Sequence, residues 1–136
     1  VESGDELVSI IIPVFNKCEY TRPCIRSLYE NTSYPHFEVI AVNNNSTDET
    51  PSFRVWAQGE YGIRVIRNER NLGFAKTCNQ GAGVARGSLL FFLNNDTIAR
   101  PGWLDALVEV LTGERRVGIV GSKLLYPDGT FSMPVW

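Results

Sequence analysis

The run Leu7 to Phe15, LVSIIIPVF, is apolar and largely β-branched with almost no polar interruption. A strand with one wet face alternates apolar and polar residues, whereas a run without that alternation is covered on both faces, as in the middle of a parallel sheet. Parallel strands need crossover connections, so the segments between successive runs must supply helices. Tyr20, Cys24, Ile25 and Leu28 repeat at helical spacing, and Pro23 fits there if the helix has just begun, where its missing N–H costs nothing. Phe37 to Val42 (FEVIAV) reads as a second buried strand. An apolar spacing resumes at Phe53 and Trp56, with a cap near Asp48 before Pro51 or a capping box from Ser46 to Glu49.

Ile63 to Ile66 reads as a shorter third strand, Phe74 to Arg86 as a helix of small residues able to lie close to the sheet, and Ser88 to Leu93 as a fourth strand. Pro101 is expected to open a last helix in the favoured first-turn position, with Trp103, Leu104, Leu107, Val108 and Leu111 as its apolar stripe. Val117 to Gly121 (VGIVG) reads as a fifth strand. This alternation predicts a doubly wound α/β layer with a mostly parallel sheet.

With 136 residues, 43% of them hydrophobic and 21% charged, the chain fits one globular domain. Thirteen basic residues stand against 15 acidic ones, without a basic stripe, so nucleic acid is not an expected partner. No apolar run approaches the roughly 20 residues that span a bilayer, and no membrane segment is expected. Cys18, Cys24 and Cys78 lack the close spacing of a zinc knuckle or redox motif, which favours free, packed thiols in a reducing, cytoplasmic setting. His36, in the Pro-bearing connection SYPHFE, reads as a surface loop residue. The chain starts at Val1, not Met, and is expected to be a piece of something longer.

Polar clusters follow three of the strands: Asn16 and Lys17 after the first, Asn43 to Asp48 after the second, Asn94 to Asp96 after the fourth. In parallel α/β sheets ligands collect beyond the carboxyl ends of the strands, so all three clusters should meet along one edge. Amides there can bind bases, riboses and sugar hydroxyls without demanding a charge. Asp96 is a metal-competent oxygen donor at that edge, or else part of a polar turn. The chain has no Ser-His-Asp or Cys-His set, and neither GxGxxG nor GxxxxGK[ST] follows the first strand, which argues against a dinucleotide dehydrogenase and a P-loop nucleotidase.

The strings SIIIPVFN, VIAVNNNSTDET, RNERNLGFAKTCNQGAGVARGSLLFFLNNDT and VGSKLLYPDGT, in that order from about Val8 to Phe131, resemble the nucleotide-sugar-binding half of a family 2 glycosyltransferase with the GT-A fold. The resemblance implies a three-layer sandwich around a mostly parallel sheet, truncated at its carboxyl end. It implies that Pro13 and Phe15 lie against the nucleotide base, although Phe15 also reads as a core aromatic. Asn43 stands where the family has an acidic base contact, and Asn45 where it has Gly. Asn71 and Gly73 match the Asn-x-Gly loop, where backbone N–H groups favour phosphate. Lys76 is a diphosphate contact by the same likeness, or a solvated helix residue. Asn94, Asn95 and Asp96 match the DxD position in an N-x-D form. Asp96 is then the ligand of a divalent cation, Mn or Mg, which keeps waters and takes diphosphate oxygens. Asn95 becomes a contact for a ribose or sugar hydroxyl.

Transfer of a sugar from a UDP-, dTDP- or GDP-linked donor to the hydroxyl of a saccharide or lipid-linked saccharide follows from the resemblance, with inversion at the anomeric carbon. The LNNDT and LLYPDGT strings are most similar to bacterial transferases of surface polysaccharide assembly, including rhamnosyltransferases. In relatives the base comes from the acceptor-binding half, so base and acceptor site are expected beyond residue 136 and the piece alone is expected to turn over poorly. Asp128 lies in YPDGT, a β-turn string that favours a structural role. An exposed apolar patch is expected at the last strand, near Trp136, where a neighbouring copy could bury it. Two other readings stay open: a non-catalytic nucleotide or nucleotide-sugar binder, given the neutral Asn43 and Asn94, and a nucleotidylyltransferase, which would want a Gly-rich basic loop where VFNKCEY stands.

Overall fold

The computed structural model describes residues 6–14, 18–44, 50–95 and 97–113. Phe15, Asn16, Lys17, Asn45, Ser46, Asp48, Glu49, Asp96, the strand expected at Val117 to Gly121, Asp128 and Trp136 lie outside the described residues. The elements run β1 (Val8–Val14), α1 (Cys18–Asn31), β2 (Phe37–Asn44), α2 (Thr50–Tyr61), β3 (Arg64–Asn68), α3 (Phe74–Val84), β4 (Leu89–Phe92) and α4 (Trp103–Gly113). The strands form a sheet of order β3-β2-β1-β4, and every pairing is parallel.

Burial of β1 follows from its composition. Val8, Ile10, Ile12 and Val14 enter one core with Cys24, Ile25 and Leu28 of α1, Ala57 of α2, and Leu104 and Val108 of α4. Ile11 points the other way, joining Ile40 and Val42 of β2 against Ile66, Ala82 and Ala85. The two cores make three layers, with α3 alone on the second face among the described helices. A small residue lets α3 lie close: a Cβ on Gly81 would run into the Ile11 side chain. After the helix, one on Gly87 would sit 2.6 Å from the Leu7 carbonyl oxygen, so the connection to β4 also passes close to β1.

Several boundaries differ from the sequence expectation. Pro23 lies inside α1, which begins at Cys18; the proline is exposed and removes one helical N–H donor at that position. Tyr20, expected on the buried stripe, is 49% exposed, and its neighbour Thr21 is fully buried instead. β3 starts at Arg64 and runs to Asn68, because Ile63 still belongs to the turn after α2, its N–H bonded to the Ala57 carbonyl. α3 ends at Val84, since Ala85 is already extended. β4 covers only Leu89 to Phe92. Pro101 does not open α4 but sits in the preceding turn, where the Trp103 N–H reaches the Arg100 carbonyl (3.2 Å) and Gly102 has φ +79°. Pro followed by a positive-φ Gly is the chemistry of a type II turn.

The α3 face of β4 is left open: Leu90 is 40% and Phe92 49% exposed. Cys24 and Cys78 are buried free thiols, and burial pushes the Cys78 thiol up. His36 is exposed in the turn before β2. On the other face Tyr29 stacks on Tyr61, ring centroids 4.4 Å apart, and burial, then the neighbouring Tyr61, push the Tyr29 hydroxyl up to about 12.

A polar network closes the amino edge of the sheet. Glu38 accepts from the Ser9 hydroxyl (2.5 Å), the Arg86 N–H (2.7 Å) and the Arg64 guanidinium (3.4 Å), while Arg64 also donates to the Val84 carbonyl (2.8 Å). Burial alone would raise the Glu38 carboxyl, but the bonds from Ser9 and Arg86 and the charge of Arg64 outweigh it and hold the group below its ordinary value. A carboxylate with a lowered folded pKa stabilises fully above its unfolded value of about 4.3 and loses that contribution as pH falls through the folded one. Glu38→Gln is therefore expected to lower stability at neutral pH and to flatten the acid limb of a stability-versus-pH curve measured by urea unfolding. An acid limb as steep as that of the parent would contradict the assignment.

Candidate functional site

Because all four described strands are parallel, their carboxyl ends share one edge, where ligands are held in such sheets. Pro13 shapes that edge. Odd-numbered residues of β1 face β4, with the Leu89 and Leu93 N–H groups donating to the carbonyls of Leu7 and Ile11. Pairing with β4 stops at Ile11 opposite Phe92, and Pro13, whose nitrogen faces β4, has no N–H with which to extend the ladder.

Asn43 lies opposite Val14 of β1 and Arg67 of β3, and only 1% of it is exposed. It is a buried amide at the floor of the edge, held between an apolar strand end and a basic one. After β3 the chain turns through residues 69–73. Asn71 Oδ1 accepts from the Gly73 N–H (2.9 Å), so the Asn71 side chain shapes the loop from within. Gly73, at φ 85° and ψ 165°, is the N-cap of α3. Its carbonyl accepts from the Thr77 N–H (3.1 Å) and the Thr77 hydroxyl (2.7 Å). Lys76 follows, exposed in the first turn. A helix start without a side-chain cap bond, with a lysine in its first turn, suits an anion.

The segment after β4 is fastened to α1. Asn95 donates its amide N–H to the Thr21 hydroxyl (2.9 Å), the Ala99 N–H donates to the Ser27 hydroxyl (2.8 Å), and the Asn31 amide donates to the Ala99 carbonyl (2.9 Å). The Trp103 indole N–H adds a bond to the Thr32 hydroxyl (2.8 Å). The Asn94 carbonyl takes the Thr97 hydroxyl (2.8 Å) and the Cys24 thiol (3.8 Å), while the Asn94 residue itself is exposed. Thr21, Cys24, Ser27 and Asn31 thus form one stripe on α1 that positions the 94–103 segment. Of these only Cys24 is singled out by the sequence, as part of the apolar stripe; the 3-3-4 spacing of the four is there to be read.

The edge therefore brings together Pro13, Asn43, Asn71, Gly73, Lys76, Asn94 and Asn95. Phe15, Asn45 and Asp96 lie outside the described residues. Among the described residues no three His, Cys, Asp or Glu side chains cluster as a metal site. What the β4 end offers is amide oxygen with Asp96 next in sequence, a donor set that fits a hard cation completing its shell with ligand oxygens and water.

Residues 9–135 match the model of the family described as Glycosyl transferase family 2. The chain belongs to that family. It is 38% identical over 130 residues to the O-antigen biosynthesis protein RfbC of Myxococcus xanthus, covering 93% of this chain and 10% of RfbC. An uncharacterized glycosyltransferase of Haemophilus influenzae is 33% identical over 119 residues, covering 87% of this chain and 36% of that protein. The chain thus spans about a tenth to a third of the length of these relatives. Among solved structures, residues 1–349 of S. aureus TarS superpose with a TM-score of 0.71 at 24% identity, over 80% of this chain and 33% of that one, a likeness of fold. The mannosyltransferase PcManGT of Pyrobaculum calidifontis, in complex with GDP-Man and Mn2+, gives a TM-score of 0.68 at 26% identity over 78% and 32%. The architecture is the GT-A fold of these glycosyltransferases.

Gly73 provides a local test of the site. Its backbone falls in a region that side-chain-bearing residues rarely adopt, and strain of this kind costs about 1–3 kcal/mol. Gly73→Ala is expected to lower stability by that amount in chemical denaturation, and an unchanged midpoint would show that the loop does not hold this conformation.

Proposed function

We propose that this chain is the donor-binding part of an inverting glycosyltransferase that moves a sugar from a nucleoside-diphosphate carrier to an acceptor hydroxyl in surface polysaccharide synthesis. The observation that carries the reading is the convergence of Pro13, Asn43, the 71–76 segment and Asn94–Asn95 on one sheet edge in a family 2 domain. RfbC, the relative named for O-antigen biosynthesis, supports the polysaccharide role, and the nucleotide sugars in the neighbours, UDP-GlcNAc in TarS and GDP-Man in PcManGT, support the donor class. The reading places the enzyme in the cytoplasm, with the nucleotide sugars; among the described residues no helix is long and apolar enough to cross a membrane.

In this mechanism the base rests against Pro13 and Phe15, and the amide of Asn43 meets its polar rim. Asn43 is neutral, so it accepts from or donates to the base without a charge. The diphosphate lies toward Gly73 and Lys76, where N–H groups and a point charge offset its negative charge. Asn45 and Asn71 border the nucleotide, while Asn94 and Asn95 meet the ribose or sugar. Asp96 would hold the divalent cation, manganese or magnesium, which when bound neutralises the leaving diphosphate. A carboxylate must take the acceptor proton as the hydroxyl attacks. We assign that base and the saccharide or lipid-linked acceptor site to residues outside 1–136, which fits the far greater length of the relatives.

Calorimetric titration of UDP, dTDP and GDP, with and without manganese, tests the reading. Metal-dependent binding of one nucleotide, lost in Asp96→Ala, is expected, together with little sugar transfer by residues 1–136 alone. Absence of binding under every condition would refute the donor site, and vigorous transfer by this piece would refute the division of labour. Nucleotide binding by the intact protein without any transfer would favour the non-catalytic binder that the neutral Asn43 and Asn94 also suit.

Self-association through an apolar face at the last strand, near Trp136, is part of the same proposal; that strand lies outside the described residues, among which Leu90 and Phe92 of β4 are exposed apolar side chains. Light scattering is expected to show dimers at high concentration, and a strict monomer would exclude them.

A further inference from the structure

The chain leaves β3 at Asn68, turns through residues 69–73 and returns along the sheet as α3. Asn68 and Gln80 join the two sides of that turn by exchanging amide hydrogen bonds: the Asn68 Nδ2 donates to Gln80 Oε1 and the Gln80 Nε2 donates to Asn68 Oδ1, each at 2.7 Å. Asn68 is 8% exposed. A reciprocal pair with both bonds short in a part-buried setting tolerates little change of spacing, because a shift that lengthens one bond lengthens the other.

The tail of α3 is held separately by Arg64 on the Val84 carbonyl and by Glu38 on the Arg86 N–H. At its head, Gly73 and Lys76 carry the part of the site suited to an anion. Asn43 pairs in register with Arg67, the residue before Asn68. The amide pair therefore ties the strand ends around Asn43 to the helix that begins at Gly73.

We propose that Asn68 and Gln80 are positioning residues that set the separation between the nucleobase and diphosphate parts of the site. This role rests on the donor-site reading given above. A nucleoside diphosphate occupies both parts at once, so fixed spacing adds to its affinity as an effective concentration, whereas a ligand that occupies one part gains nothing from it. Loosening the pair should weaken the linked ligand and spare its halves. General destabilisation of the fold would weaken all of them together.

The test uses UDP, dTDP and GDP with manganese, the matching nucleosides, and manganese pyrophosphate, titrated into the parent protein and into Gln80→Leu, Gln80→Glu and the swapped pair Asn68→Gln with Gln80→Asn. Thermal midpoints are recorded for each, and titrations are run well below them. Gln80→Leu is expected to lose about tenfold in affinity for the nucleoside diphosphate that the parent binds, with nucleoside and pyrophosphate within about twofold of the parent values. Gln80→Glu, which keeps an acceptor for Asn68 but no donor, should fall between. The swapped pair moves one methylene across the contact and keeps both bonds, so it should recover most of the loss. Unchanged binding in Gln80→Leu, or an equal fall for all three ligand types, would overturn the positioning role and leave the donor site standing. If the parent binds no nucleoside diphosphate, the donor-site reading fails and this role fails with it.

Discussion

Strand β1 has no wet face, and the rest of the structure depends on that constraint. Its residues alternate between two cores, one under α1, α2 and α4 and the other under α3. A strand so placed needs hydrogen-bonded neighbours on both sides and helices above and below. β2 and β4 supply the neighbours in parallel, and parallel pairing puts every strand's carboxyl end at one edge. The site follows from the burial of β1 before any ligand-binding residue is considered.

The two edges of the sheet are finished differently. At the amino edge Ser9, Glu38 and Arg64 bond one another and the backbone after α3. At the carboxyl edge the proline ends the β1–β4 ladder early, and polar side chains of α1 take over the role of holding the next segment. The amino edge is closed by strong bonds within itself. At the carboxyl edge, by contrast, the loops are anchored from behind by Thr21, Ser27, Asn31 and Asn68. Anchoring of that kind leaves polar groups at the front to meet a ligand already in place.

Much of this was legible in the sequence, for physical reasons that also explain what was not. The unbroken run of β1 and the helical spacings fixed the order of elements and the parallel sheet. That order alone placed Asn43 and Asn94 along one edge, since a residue just after a parallel strand has nowhere else to go, whereas Gly73 and Lys76 were singled out by the resemblance to family 2 glycosyltransferases. Pro23 and Pro101 were misplaced because a proline preference for the first turn is local, while an exposed proline within a helix or before a positive-φ glycine is settled by surroundings. Tyr20 and Thr21 exchanged roles because a buried hydroxyl with a partner, here Asn95, is as acceptable as an apolar side chain. That partner lies 74 positions away, and no periodicity encodes it. The same holds for Asn68 and Gln80, two ordinary amides until the fold brings them together.

Chemical-shift mapping of the isotopically labelled protein, titrated with UDP, dTDP and GDP in the presence of magnesium, addresses the central claim, that the carboxyl edge is the donor site. The account predicts perturbations gathered at Asn43, at Asn71 to Lys76 and at Asn94 to Asn95, with Ser9, Glu38 and Arg64 at the opposite edge silent. Perturbations confined to the amino edge or to the exposed face of β4 would contradict it.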